Sequence, residues 1–297
     1  MVALSYRMGP LEWALLVALS LVWGASFLFG RIIVAELPPI TATWLRVALA
    51  AAALWIVLPF LQRAPGGLPW GRFATMGVLN NVLPFTLILT GQTAIGAGLA
   101  AIVNAMTPIW TVLLANAVTT DEKLSRAKAL GVALGFAGVA ILIGAAALEG
   151  LAASVWAQLA VLGATISYAC AGLYGRRFAA VPPAQTARGQ LTMSTVLMLP
   201  LLMIDRPWSL PWPSAEVVWS VLAIAILCTA LAYILFFMIL ARAGATNVSL
   251  VTFLVPVSAI ALGTLVLGET PAPRHLLGLA TIVAGLVLID GRLLRRR

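Results

Sequence analysis

Of the 297 residues, 62% are hydrophobic and only 9% charged, with a net charge of +9 and a mean hydropathy of +1.07. A soluble domain carries about a quarter charged residues, so a water-soluble globular protein is excluded. A β-barrel alternates polar and apolar residues, and open sheet edges cannot be satisfied in lipid, so the chain reads as an all-α membrane protein. Ten apolar stretches between Pro, Gly and charged residues predict ten transmembrane helices, at 11–33, 39–61, 71–91, 96–118, 127–148, 153–175, 184–204, 215–240, 245–268 and 275–290. Each is long enough, or nearly so, for a hydrocarbon core that needs roughly 20 helical residues. The first stretch is too long for the hydrophobic region of a cleavable signal and counts as a span. The connection Gln92 to Ile95 is so short that the third and fourth helices must be antiparallel neighbours.

The positive charge lies in short loops, which points to membrane topology rather than to a nucleic-acid partner. With ten spans, one side holds fourteen basic residues: Arg7, Arg63, Arg72, Lys123, Arg126, Lys128, Arg176, Arg177, Arg188, Arg242, Arg292, Arg295, Arg296 and Arg297. The other holds three, Arg31, Arg206 and Arg274, and Arg46 falls inside a span. The positive-inside rule then places both termini in the cytoplasm and the chain in the cell inner membrane. Cys170 and Cys228 sit in apolar runs and read as core thiols rather than a disulfide framework.

The chain repeats itself. GAGLAAIVNAMTP from Gly96 aligns with GATNVSLVTFLVP from Gly244, which pairs Ala97 with Ala245 and Pro108 with Pro256. Phe85 then falls on Tyr233, and after a one-residue slip Gly131, Gly138 and Gly144 fall on Gly278, Gly285 and Gly291. Earlier, Gly30–Arg31 and Pro38–Pro39 echo Gly175–Arg176 and Pro182–Pro183. The units are residues 1–150 and 151–297, five spans each. An odd number of crossings inverts the second unit, as in secondary transporters with substrate near the midplane; a fused homodimer without transport is the structural alternative.

VWGASFLFGRIIVAELPPITATWLRVALAAAALW at 22–55 resembles the opening of EamA-type transporters of the drug/metabolite transporter superfamily. The Gly-Ala…Pro pattern of spans four and nine, with Gly-rich spans five and ten, is similar to that family too. The resemblance covers nearly the whole chain. It implies ten helices in two inverted five-helix repeats around a central cavity, and movement of small metabolites, often amino acids outward, aromatic ones in one branch.

Few polar residues lie inside the spans. Asn80 and Asn81 are adjacent, about 100° apart on a helix, so at most one faces a cavity squarely and the other bonds a neighbouring helix. Asn104 and Thr107 share a face, and Pro108 frees the Asn104 carbonyl from its helical bond. Amide, hydroxyl and carbonyl together suit a zwitterion; interhelical hydrogen bonding is the competing role. Arg46, about 10 Å into the second span at 1.5 Å per residue, is a candidate carboxylate ligand, against snorkelling to the interface or pairing with a helix end. Gln190 holds the equivalent position in the second unit. Trp44, Trp110, Tyr168, Tyr233 and Phe236 lie deep and are candidates to line a pocket, against ordinary packing. Trp13, Trp70, Trp208 and Trp212 read as interfacial. Pro84, Pro108 and Pro256 are candidate hinges, and Gly131, Gly135 and Gly138 read as close helix contacts.

All nine acidic residues fall at span ends or in loops, so a cation exporter with a buried carboxylate is disfavoured. One basic residue in the membrane is too few for phosphorylated substrates. His275, the single histidine, reads as part of the last loop. No H-E-x-x-H, G-x-S-x-G, Cys/His cluster, intramembrane Asp pair or Walker motif is present, so neither an enzyme nor a cofactor or metal site is expected. The expected partners are a small-molecule substrate and the lipid bilayer, the protein being a monomer or weak homodimer. The expectation is a secondary transporter exporting small neutral or zwitterionic metabolites by alternating access. A drug or other metabolite exporter of the same superfamily and a non-transporting scaffold are the alternatives.

Overall fold

The computed structural model describes residues 9–61, 69–118, 124–143, 152–178, 181–243, 248 and 250–290. These residues form helices and their connections, with no strand among them. Helix α1 is Pro10–Ile33 and α2 is Pro39–Leu61. Helix α3 runs Trp70–Gln92 with a π turn at Val78–Val82, and α4 runs Ala97–Val118 with a break at Ala105 and Met106. Next come α5 (Arg126–Ile143), α6 (Ala152–Gly175) and α7 (Pro183–Met198), after which the chain bends by 45° into Leu202–Ser209. Helix α8 is built from Ala215–Ala225, a π turn at Ile226–Leu231 and Ala232–Ala243. Helices α9 (Val251–Leu267) and α10 (Pro273–Asp290) complete the order. Among the described residues six helices are long and apolar enough to cross a membrane, seven if the bent α7 pair is one span; α5, α9 and α10 have 18, 17 and 18 described residues. The expected fifth and ninth spans, at 127–148 and 245–268, lie in part outside the described residues, as does the Gly144–Gly291 match.

The helices of residues 1–150 pack mainly against those of 151–297. Helix α1 lies along α9 and α8, α6 along α4 and α3, α2 against α7, and α5 against α10. The last pair shows why the glycines recur. A Cβ on Gly131 would meet the Gly285 carbonyl oxygen at 2.6 Å, and one on Gly138 the Gly278 oxygen at 2.8 Å. So α5 and α10 cross antiparallel at backbone contact, and matched glycines exchange places as they would about a two-fold axis. The α2–α7 pair is antiparallel as well: Trp44 reaches Thr195, while Trp55, further along α2, reaches Thr192, earlier in α7.

Loops 33–39, 92–97, 205–215 and 267–273 share one face, here the distal face. The start of α1 and the end of α10 share the opposite, proximal face. Cys170 and Cys228 are free thiols. Trp13, Trp70, Trp208 and Trp212 are all exposed, as a belt requires. His275 sits in the first turn of α10 rather than in a loop, because its Nδ1 accepts the Ala272 backbone N–H at 3.3 Å and closes that helix end.

Gly131→Leu forces α5 off α10, because the added side chain meets backbone, which cannot yield. Overpacking of this kind costs about 1–3 kcal/mol. The thermal unfolding midpoint in detergent should fall clearly. Gly135→Ala should fall less, since its Cβ meets only the end of the Ile109 side chain.

Candidate functional site

Two backbone irregularities build the site. In the π turn of α3 the Leu83 N–H reaches the Val78 oxygen five residues back, so the α-helical ladder loses its register. Ser167 of α6 donates its hydroxyl to the Leu79 carbonyl at 2.7 Å, satisfying a backbone oxygen inside the membrane. The π turn of α8 stands where the 148-residue repeat places it, and there Thr229 Oγ1 donates to the Ile224 carbonyl at 2.8 Å.

Each irregular turn receives a side chain from the other half. Arg46 of α2 donates through Nε to Thr229 Oγ1 at 2.9 Å, and its guanidinium carbon lies 3.7 Å from the Phe85 ring centroid. Gln190 of α7, the counterpart of Arg46, accepts through Oε1 from Asn80 Nδ2 at 3.1 Å. Asn80 Nδ2 also donates to Tyr233 Oη at 3.1 Å, and Tyr233 donates to Asn81 Oδ1 at 3.2 Å. Asn81 Nδ2 donates to Ser194 Oγ at 3.0 Å. Both asparagines therefore bond neighbouring helices; the wider π turn lets the two adjacent amides share Tyr233 while each takes its own residue of α7.

Arg46 is only 7% exposed. No carboxylate of a described residue pairs with it, and its two Nη groups make no hydrogen bond to a described residue. Tyr168, Cys228 and Tyr233 stand around it. It neither snorkels nor pairs with a helix end. Cation–π contact and one hydroxyl hold a charge that elsewhere demands a counter-ion.

The other expected residues divide. Tyr168 packs against two clusters of buried apolar side chains, one that includes Ile88 and Val161 and one that includes Val82 and Phe85, and Tyr233 packs against the second. Trp44 spends its Nε1 on the Thr195 carbonyl at 3.2 Å, so it ties α2 to α7. Phe236 packs on Trp23 with centroids 5.9 Å apart. Trp110 stands edge-on to Phe136 at 5.2 Å, its buried Nε1 unpartnered. Asn104 and Thr107 flank the break in α4. The Asn104 carbonyl is not loose as expected: Thr107 Oγ1 donates to it at 2.9 Å, compensating for Pro108. The side-chain Oδ1 of Asn104 is buried and unpartnered instead. Pro84 follows the π turn of α3, Pro108 starts the second part of α4, and Pro256 lies within α9, which stays helical through it. Thr229, Ser194 and Ser167 join the candidate site without having been singled out in the sequence, where Gln190 figured only as the counterpart of Arg46. The spacing that sets Phe85 on Tyr233 also sets Asn81 on Thr229, so Thr229 was within reach.

Carboxylates bridge the halves at both faces. Distally, Asp205 accepts from Thr41 N at 2.8 Å and Oγ1 at 3.1 Å, and Glu269 accepts from Ala97 N at 2.7 Å and Gly98 N at 3.1 Å. Glu36 accepts from Ser214 N at 2.7 Å. Three helix N-termini are thus capped from the opposite half. Beside them lies a cleft of about 460 Å³ lined by Arg31, Glu36, Glu216 and Glu269. Proximally, Arg242 Nε and Glu12 Oε1 form an ion pair at 2.8 Å between α8 and α1.

The sequence profile of the EamA-like transporter family matches residues 11–144 and 155–290. The chain belongs to that family. It is a multi-pass membrane transporter, and the family's members are transporters rather than enzymes. The "Probable amino-acid metabolite efflux pump" of Salmonella typhimurium is 28% identical over 278 residues, covering 90% of each chain. The "Probable terminal-alkyne amino-acid exporter" of Streptantibioticus cattleyicolor is 27% identical over 294 residues, covering 98% of this chain and 97% of that one. A solved crystal structure superposes with a TM-score of 0.68 at 21% identity, over 96% of this chain and 98% of the other; that likeness concerns the fold.

Hydrogen bonds from Ser214 hold the Glu36 carboxyl below its usual value of 4.5. A depressed pKa means that the stabilisation is present above 4.5 and is lost as pH falls through the lowered value. Glu36→Gln should lower the unfolding midpoint at pH 7. The gap to the unaltered protein should close as the solution is acidified through that window.

Proposed function

We propose that this transporter exports small zwitterionic metabolites, neutral amino acids above all, by alternating access of two inverted five-helix halves. The observation that carries the reading is Arg46: a buried guanidinium with unused Nη donors and no carboxylate partner. In this reading residues 1–150 and 151–297 form the halves, ten helices cross the inner membrane, and the basic proximal face is cytoplasmic. The carboxylate of the substrate meets the Arg46 Nη groups, a bidentate geometry that a guanidinium suits. The orphaned Asn104 Oδ1 accepts from the ammonium group. Tyr168, Tyr233, Trp110 and Phe236 surround an apolar side chain, which favours aromatic amino acids.

The irregular turns in α3 and α8 and the break in α4 are where the helices flex, with Pro84, Pro108 and Pro256 as hinges. The carboxylate caps close the distal side, and the Glu12–Arg242 pair closes the proximal side. With no acidic group among the site's side chains, movement down a gradient is the simplest driving force.

Counterflow in proteoliposomes tests this. Vesicles loaded with unlabelled neutral amino acids should stimulate uptake of labelled phenylalanine, and phenethylamine, which lacks the carboxylate, should not. A charge-assisted hydrogen bond contributes about 1.5–3 kcal/mol, so Arg46→Ala should weaken apparent affinity by roughly 10- to 100-fold without loss of folded protein. Arg46→Lys should rescue it only in part. Unaltered counterflow in Arg46→Ala would refute the site, and no stimulation by any amino acid would refute the substrate class.

A further inference from the structure

Helices α2 and α7 begin alike, at Pro38–Pro39 and Pro182–Pro183. Counting from there, Thr41 matches Gln185 and Trp44 matches Arg188. In α2 this first turn is filled from outside the helix, by the Asp205 carboxylate on Thr41 N and Oγ1. In α7 no carboxylate of a described residue does the same. Gln185 is 0% exposed, yet neither its Oε1 nor its Nε2 has a partner. Arg188, one turn further on the same side of the helix, is 4% exposed with its Nε also unpartnered. Unsatisfied polar atoms in such a position are costly to folding.

The surroundings indicate the missing ligand. The Arg188 guanidinium carbon lies 4.0 Å from the Trp55 ring centroid, and Trp55 donates from Nε1 to Thr192 Oγ1 at 3.0 Å. Trp55 is 45% exposed and its neighbour Ile56 67%, so the outer edge of the seam between α2 and α7 faces lipid, with Trp55 lying over the buried Arg188. Gln185 and Arg188 are the third and sixth residues of α7, about 3 and 7.5 Å from its start at 1.5 Å per residue. That is the depth of a lipid headgroup against the hydrocarbon boundary. A guanidinium, an amide donor and a helix N-terminus all favour an anion.

We propose that this seam binds the phosphate of an anionic phospholipid. One phosphate oxygen takes the Arg188 guanidinium, another takes Gln185 Nε2 at the α7 N-terminus, and an acyl chain lies along Trp55 and Ile56. The site faces the bilayer, stands apart from Arg46, and couples lipid headgroup charge to the α2–α7 pair that carries Arg46 and Gln190. Free inorganic phosphate shares the polar chemistry but not the acyl contact.

The full chain in nanodiscs provides the test. Replacing part of a phosphatidylcholine bilayer with phosphatidylglycerol should raise the unfolding midpoint of the unaltered protein by roughly 2–4 °C. Gln185→Leu and Arg188→Gln should each lose most of that rise, while Arg126→Gln, on the same face, should keep it. If Arg188→Gln does not fold, Gln185→Leu carries the same test without a change of charge. No phosphatidylglycerol-dependent rise, or equal loss in Arg126→Gln, overturns the site. An equal rise from millimolar inorganic phosphate in phosphatidylcholine discs overturns the lipid as its source.

Discussion

Backbone satisfaction inside the membrane is the constraint on which this structure depends. Helices α3 and α8 give up α-helical register at mid-depth, where a free carbonyl has no water to turn to. Ser167 and Thr229 supply hydroxyls to the carbonyls concerned. With the register broken, Asn80, Asn81 and Thr229 reach side chains of α2 and α7 that a regular helix would present differently. Arg46 clasps the turn of one half and Gln190 the turn of the other. The irregular turns are thus both the weak points of two spans and the places where the halves hold one another.

The two clasps differ in charge, and that difference carries the functional reading. Gln190 forms a neutral bond and satisfies Asn80. Arg46 satisfies Thr229 with one of its donors and has others left over, beside aromatic rings rather than a carboxylate. A structural arginine at that depth would be expected to carry its own counter-ion. Around this centre, the carboxylates lie at the ends: Asp205, Glu36 and Glu269 cap helices across the halves distally, and Glu12 meets Arg242 proximally.

Much of this was legible in the sequence. The helical class followed from composition, the helix order from punctuating Pro and Gly, and the repeat from glycines and prolines. The Gly131–Gly285 and Gly138–Gly278 contacts give that repeat a physical meaning, because only glycine allows backbones so close. Arg46 was marked by its charge alone. The π turns were not legible: Val78–Val82 and Ile226–Leu231 contain no residue that forbids an ordinary helix, and tertiary bonds decide. The role of Thr107 was likewise hidden, because Pro108 predicts a freed carbonyl but not which hydroxyl will take it. Gln185 and Arg188 passed as ordinary residues near a helix start until their polar atoms proved to be without partners.

The most direct test is a structure of the protein bound to phenylalanine. The account predicts the substrate carboxylate at about 3 Å from the Arg46 Nη groups, with Nε still on Thr229 and the aromatic ring among Tyr168, Tyr233 and Trp110. Substrate bound elsewhere, with the Arg46 Nη groups unengaged, would contradict it.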